Sequence, residues 1–259
     1  MVAYQRISII TPSYNNSRYI EDAIQSVVGQ NYPDVEHLII DGGSNDGTLD
    51  VLKKYPHLKW ISEKDEGQSD ALNKGFKMAT GDILGWLNAD DYYQPGIFFK
   101  INDAYLNNPA IDFLYGEYQY VTEDKQFVRK VTNCKFDKNM LFFYGCYIPS
   151  TASFFRRRII EDGVLIDKNL KIIMDKDFFT RIAIKGYQFQ FVSEVMASFR
   201  LREDNVGNKF FHKLREENIY YLTNYHNNFC YTKAYRFEWK LRRYYYLFKR
   251  QVYKYVLVK

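Results

Sequence analysis

In its first hundred residues the chain alternates short apolar runs with segments whose apolar residues recur at helical spacing, and this alternation restricts the fold more than any other feature. Buried strands alternating with amphipathic helices build an α/β architecture around a mainly parallel sheet. Ile7 to Thr11 reads as the first strand. Ile20, Ala23, Ile24, Val27 and Val28 then mark a helix, with Asn16 or Ser17 placed to cap it and Asn31-Tyr32-Pro33 near its end. Val35 to Ile40 and Leu58 to Ser62 are the next strands, separated by a glycine-rich turn and a helix carrying Leu49, Leu52 and Tyr55. Gln68 to Ala79 reads as a helix and Ile83 to Leu87 as the strand after it.

Beyond Pro95 the pattern predicts a helix to Asn107, a strand over Ile111 to Val121, a helix over Asp175 to Lys185 stopped by Gly186, and short strands near Tyr187 to Val192 and Val195 to Phe199. Val131 to Arg158 shows no usable period. A Rossmann-like, mainly parallel mixed sheet flanked by helices is expected, divided into residues 1–205, with halves of about 1–95 and 96–205, and a helical extension over 206–259.

Ligands of open α/β sheets bind outside the carboxyl ends of the strands. The fourth strand delivers Asn88-Ala89-Asp90-Asp91 to that edge. Adjacent carboxylates there suit Mg²⁺ or Mn²⁺, hard ions that often bind through one or two carboxylates plus substrate phosphates. Such an ion can neutralise a leaving diphosphate. Taken alone, an Asp-Asp pair is better read as a solvated acidic turn. Glu63 to Gly75 is unusually polar for a strand-to-helix connection, and a helix N-terminus with Lys74 nearby would favour a phosphate, although a capped surface helix has the same makeup.

Three segments in order change that weighting: Thr11-Pro12-Ser13-Tyr14-Asn15, Ile39 to Thr48 with its Asp41-Gly42-Gly43-Ser44-Asn45-Asp46-Gly47 core, and Gly81-Asp82 leading to Asn88-Ala89-Asp90-Asp91. Together they resemble the family 2 glycosyltransferases, strongly from about Ile7 to Pro95 and more weakly to about Arg200. The resemblance implies the A-type glycosyltransferase fold and a reaction that inverts the anomeric centre. It places Thr11, Pro12, Tyr14 and Asn15 along the nucleoside pocket with Asp41 near the base, and Asp65, Asp70 and Lys74 around the nucleotide. It puts Asn88 on the nucleotide-sugar, Asp90 against ribose or metal, and Asp91, with Asp90, on the metal. Many members carry a second acid where this chain has Gly42, which leaves the choice of base open, with a UDP-sugar favoured.

Met174-Asp175-Lys176-Asp177 opens a helix and resembles the family's acidic motif, whose first aspartate, here Asp175, is the catalytic base. A carboxylate there can take the acceptor hydroxyl's proton; two acids at a helix start are also what the dipole favours. Relatives often have a histidine where Arg202 stands; arginine cannot bind a metal but can pair with phosphate. His37, His57, His212 and His226 read as structural or surface residues.

The chain is 18% aromatic, and from Lys233 to Lys259 Glu238 is the only acid against nine basic residues. On a helix, Phe237, Leu241, Tyr244, Tyr245, Phe248, Val252 and Tyr255 form one stripe beside a second of Arg236, Lys240, Arg243, Arg250 and Lys254. That fits an interfacial helix on the anionic inner membrane surface, and equally a helix packed on the domain. No motif accompanies the charge that would point to nucleic acid. Cys134, Cys146 and Cys230 read as free thiols, and without a signal-peptide core or an apolar run of 18 residues a cytoplasmic protein is expected, peripheral on the membrane if the tail binds lipid.

The expected activity is metal-dependent transfer of a hexosyl or N-acetylhexosaminyl unit from a nucleotide-sugar donor to a glycan or lipid-linked acceptor, as in surface polysaccharide biosynthesis. The alternative is a non-catalytic nucleotide-sugar-binding protein. A nicotinamide-dependent oxidoreductase would need GxGxxG where Thr11-Pro12-Ser13-Tyr14-Asn15-Asn16 stands.

Overall fold

The computed structural model describes residues 4–202, 213–225 and 233–256, with backbone alone for 233–239 and 253–256. His212, His226 and Cys230 lie outside the described residues.

The elements run β1 (Ile7–Ser13), α1 (Ile20–Val28), β2 (Val35–Asp41), α2 (Thr48–Leu52), β3 (Lys59–Ser62), α3 (Gln68–Met78), β4 (Ile83–Trp86), β5 (Tyr92–Tyr93), α4 (Ile97–Asn107), β6 (Phe113–Val121), β7 (Phe127–Val131), α5 (Lys138–Phe143), β8 (Ser153–Arg156), α6 (Arg158–Glu161), α7 (Met174–Ile184), β9 (Phe189–Arg200), α8 (Leu214–Tyr225) and α9 (Lys233–Val256). One sheet takes the order β3-β2-β1-β4-β8-β6-β9-β5, with β7 paired to β6. The β3-β2-β1-β4 half is parallel, as the alternation predicts; β8 enters antiparallel between β4 and β6, and β6 and β9 are parallel. This is the mixed, helix-flanked α/β sheet expected from the sequence.

Side chains alternate across the strands with a period of two, so each strand feeds two cores. Ile10, Leu38, Leu84, Phe113 and Phe155 pack under α3 and α7, while Ile7, Ile9, Leu114 and Phe154 pack with residues of α1 and α4 on the other face. Helix α3 lies so near the sheet that a Cβ on Gly75 would stand 2.4 Å from Ile10 Cγ2. Only glycine fits there.

Several details depart from expectation. Helix α1 begins at Ile20 with no side-chain cap; Asn16 instead accepts the Tyr19 and Ile20 N–H groups on its carbonyl, and the Ser17 N–H goes to Asp46. The two short strands after Gly186 are one strand, β9, whose register against β6 shifts near Glu117. The stretch without a period contains α5, capped by the Asp137 carboxylate on the Asn139 and Met140 N–H groups, and the four-residue β8. Tyr92–Tyr93 pairs with β9, so the acidic loop after β4 is tied to the C-terminal half of the sheet.

Helix α8 also packs onto α7. The buried Glu217 carboxylate accepts the N–H groups of Lys171, Ile172 and Ile173 at 2.9 to 3.1 Å, just before α7 begins. Tyr221 bonds Thr180 at 2.6 Å and Tyr225 donates to Asp177 at 2.5 Å.

Candidate active site

The parallel strands end on one edge, and the polar segments after β1, β2, β3 and β4 meet there. Ser44 Oγ accepts the Asn15 N–H at 2.8 Å and itself donates to Asp41, while Asn45 N–H donates to the Asn15 side chain at 3.0 Å. Tyr14 is exposed beside this pair. Thr11 and Pro12 are buried, and the Thr11 hydroxyl bonds His37 Nε2 at 3.0 Å. Burial pushes the His37 pKa down to about 3, so this imidazole is neutral and structural.

Asp41 is fully buried and takes bonds from the Gly43 and Ser44 N–H groups and from the Ser44 and Ser62 hydroxyls. Its carboxylate closes the turn after β2. Asp65 stands beside it: a Cβ on Gly42 would lie 2.8 Å from Asp65 Oδ2. The space a side chain at 42 would need is therefore filled by an acid from the next strand's loop. Asp70 and Lys74 lie on α3, but Asp70 is paired with Lys168 at 2.5 Å and Lys74 with Glu63 at 2.7 Å. The Lys168 ammonium is the main reason the Asp70 carboxyl sits below its usual range. In this state Lys74 neutralises acids and presents no free charge to phosphate.

The acidic pair divides into two unlike groups. Asp91 is buried, and its oxygens accept the Arg200 N–H at 3.0 Å, the Thr151 hydroxyl at 3.0 Å and the Asn88 amide at 2.8 Å. Burial, with the charge of Asp90 next to it, pushes its carboxyl above the usual carboxylate range. Three of the positions at which its two oxygens could meet a metal ion are thus taken by donors of the protein. Asp90 keeps 22% of its side chain exposed and pairs with Arg202 at 3.1 Å. The same guanidinium reaches the Asn16 carbonyl oxygen of the side chain at 3.2 Å and lies 4.5 Å from the Tyr19 ring centroid.

Arg200, unmarked in the sequence reading as a site residue, holds this loop in place. Buried to 4%, it donates from Nε to the Asp90 carbonyl at 2.9 Å, from Nη2 to Asp22 at 2.6 Å and from Nη1 to the Glu123 carbonyl. It thereby fastens α1, the β6–β7 turn and the acidic loop together.

Next to Asn88 opens a cleft of ≈ 150 Å³ walled by Gln68, Trp86, Asn88, Ser150, Lys171 and Asp175 among others. Asn88 is oriented by the Gln68 amide and the Trp86 indole, which both donate to its Oδ1 at 3.0 and 2.9 Å. Asp175 faces the cleft from the first turn of α7 and accepts the Lys176 N–H at 2.7 Å. Burial pushes its carboxyl up, against the Lys176 N–H and the Cys146 thiol, which pull it down. Asp177 points elsewhere: it is 1% exposed and held by Arg181 at 2.8 Å and by Tyr225.

A divalent ion fits the partly exposed Asp90 carboxylate. The Arg202 guanidinium already stands against Asp90 as a cation, and no group of three or more His, Cys, Asp or Glu that could hold a metal ion occurs among the described residues. Asp90 would thus supply one hard oxygen and rely on diphosphate and water for the rest, as Mg²⁺ sites commonly do.

The mixed sheet with its polar strand-end edge has the A-type glycosyltransferase fold. The S. aureus TarS fragment 1–349, solved with UDP-GlcNAc, superimposes with a TM-score of 0.68 at 18% identity over 93% of this chain and 71% of that one. The mannosyltransferase PcManGT of Pyrobaculum calidifontis, solved with GDP-Man and Mn²⁺, gives 0.62 at 20% identity over 84% and 63%. TuaG of Bacillus subtilis, assigned to teichuronic acid biosynthesis, is 27% identical over 78% of this chain and 81% of its own. The chain spans about half the length of two further relatives, 54% of a glycosyltransferase of Nostoc sp. and 50% of the minor teichoic acid biosynthesis protein GgaA of Bacillus subtilis. The model of glycosyl transferase family 2 matches residues 8–164, more than half of the chain. The chain belongs to that family.

Proposed function

We propose that the chain transfers a sugar, with inversion, from a nucleotide-sugar donor, UDP-linked in the favoured case, to a hydroxyl of a glycan or lipid-linked glycan acceptor in the assembly of a surface polysaccharide. The observation that carries this is that Asp175 and Asn88 line one cleft, Asn88 belonging to the same loop as Asp90. An acceptor hydroxyl beside Asp175 and a diphosphate beside Asp90 put base and leaving group on opposite sides of a sugar between them.

The residues divide the work. Tyr14, Asn15 and Asp65 would border the nucleoside, with Thr11, Pro12 and Asp41 forming the pocket's rigid floor. Asp175 takes the acceptor proton as that oxygen bonds to the anomeric carbon, and the bond from that carbon to the diphosphate oxygen breaks. A raised carboxyl pKa brings this base nearer the working pH, where proton transfer is most effective. Asp90, and not Asp91, would hold Mg²⁺ or Mn²⁺, which supplies charge neutralisation at the leaving diphosphate. Arg202 would turn from Asp90 to a phosphate oxygen, a charge-assisted bond of the kind guanidinium makes well. The relatives in wall polymer synthesis and the UDP-GlcNAc bound to TarS support the donor and acceptor classes.

The test is release of nucleoside diphosphate from UDP-, GDP- and dTDP-sugars, with and without glycan acceptors. Acceptor-stimulated release from one donor, with an inverted product, is expected. Tight donor binding with no release under any acceptor would favour the non-catalytic binding protein.

A further inference from the structure

Helix α9 is attached to the domain by one face and leaves its aromatic face uncovered. On the attached side Tyr246 stacks on Phe143 at 5.8 Å and an interplanar angle of 7°, and Arg242 lies 5.3 Å from the same ring. Lys249 pairs with Asp137, and Arg250 reaches the Tyr144 hydroxyl while lying 4.6 Å over its ring. All four contacts fall on α5 or its capping residues. Leu241, Tyr244, Tyr245 and Phe248 remain 54%, 68%, 57% and 69% exposed.

At 3.6 residues per turn these four side chains share one arc of about 100°, turned well away from Tyr246. Contiguous exposed apolar rings rimmed by charge mark an interaction surface. From Lys233 to Val256 the helix carries eight basic residues and one acid. That charge narrows the choice of partner. A second copy docked face to face would bring two basic helices together, and like charges in contact oppose such an interface. No described helix is long and apolar enough to cross a membrane. An anionic bilayer surface satisfies both features: tyrosine rings sit at headgroup depth with the hydroxyl wet, phenylalanine and leucine reach the acyl boundary, and basic residues are drawn to the anionic lipid.

We infer that α9 docks the protein on an anionic membrane through Leu241, Tyr244, Tyr245 and Phe248. The inference rests on the helix and holds whatever sugar the cleft takes. It also has a geometric consequence. The chain runs from the end of α5 through Cys146 to Ser150, which walls the cleft, so docking by α9 brings that wall near the lipid.

Co-sedimentation of the full chain with phosphatidylcholine vesicles, with and without about one third phosphatidylglycerol, tests it. Binding should require phosphatidylglycerol and weaken at high salt. The triple variant Tyr244→Ser, Tyr245→Ser, Phe248→Ser should lose at least tenfold in vesicle affinity while its circular dichroism and its donor-induced thermal shift match wild type. Should the triple variant misfold, Phe248→Ser alone should still lose severalfold. Wild-type and variant proteins that bind equally, or a wild type indifferent to anionic lipid, would overturn the inference. So would ultracentrifugation showing a dimer that the triple variant dissociates, since the face would then belong to a second copy.

Discussion

Arg202 Nη1 lies 3.1 Å from Oδ2 of Asp90, so the carboxylate proposed to meet the metal already holds a cation from its own chain. A divalent ion entering without donor must displace it. Arg202→Ala should therefore tighten Mn²⁺ binding to the donor-free protein about fivefold, roughly 1 kcal/mol for a partly exposed pair. It should weaken metal-free binding of nucleoside diphosphate about tenfold, through the lost phosphate partner. Calorimetry reads both, and unchanged Mn²⁺ affinity would show that the pair does not compete with metal.

Asp90 and Asp91 should fail differently when altered. Asp90→Asn is expected to cut Mn²⁺-dependent donor affinity by about tenfold or more with little change in melting temperature. Asp91→Ala leaves the Arg200 N–H, the Thr151 hydroxyl and the Asn88 amide without their buried acceptor. Unmet buried donors cost about 1–3 kcal/mol. Its melting temperature should drop by several degrees, and thermal unfolding beside donor titration separates the two outcomes.

Asp175→Asn should lower transfer about 10²- to 10⁴-fold with donor affinity nearly intact, because it removes the proton acceptor and keeps the shape. Asp177→Asn should instead loosen α7 from α8, since Arg181 and Tyr225 share that carboxylate. Its signature is lowered stability with partial activity. Rate and melting curves measured together check this, and an inactive, fully stable Asp177→Asn beside an active Asp175→Asn would reverse the assignment.

Glu36 supplies an acid-sensitive contact away from the cleft. Burial alone would raise its pKa, but bonds from Lys59, Ser8 and the Thr80 N–H overcome it and lower the carboxyl from 4.5 to about 2. A carboxyl held low in the folded state stabilises above its unfolded pKa and loses that contribution as pH falls through the folded one. Stability should thus decline between about pH 4.5 and 2, by up to about 3 kcal/mol from this group. Chemical denaturation across that range should show a shallower decline for Glu36→Gln, from a lower starting stability.

What the sequence disclosed followed from local pattern. Period-two strands and the residues at their ends located β1 to β4 and the acidic loop, and helical spacing placed Leu241, Tyr244, Tyr245 and Phe248 on one face of α9. What it hid depended on distance along the chain. Asp91 and Asp90 are indistinguishable as neighbours in sequence; the Arg200 N–H, 109 residues on, donates to the first, while Arg202 pairs with the second. Asp41 likewise takes a bond from Ser62, 21 residues away, that no local pattern announces. Helix α5 and strand β8 are too short to display a period, and α5 is started by the Asp137 cap instead.

Glu217 bears on how far this enzyme can be dissected. The family match ends at residue 164, yet the segment presenting Asp175 hangs by three N–H groups from a carboxylate on α8. A fragment trimmed to the matched residues would keep the strand-end edge after β1 to β4 and lose the carboxylate from which the start of α7 hangs. The smallest portable unit, for grafting or chimera building, therefore runs through Tyr225, and exchanges of acceptor specificity between relatives should carry α7 and α8 as a single cassette.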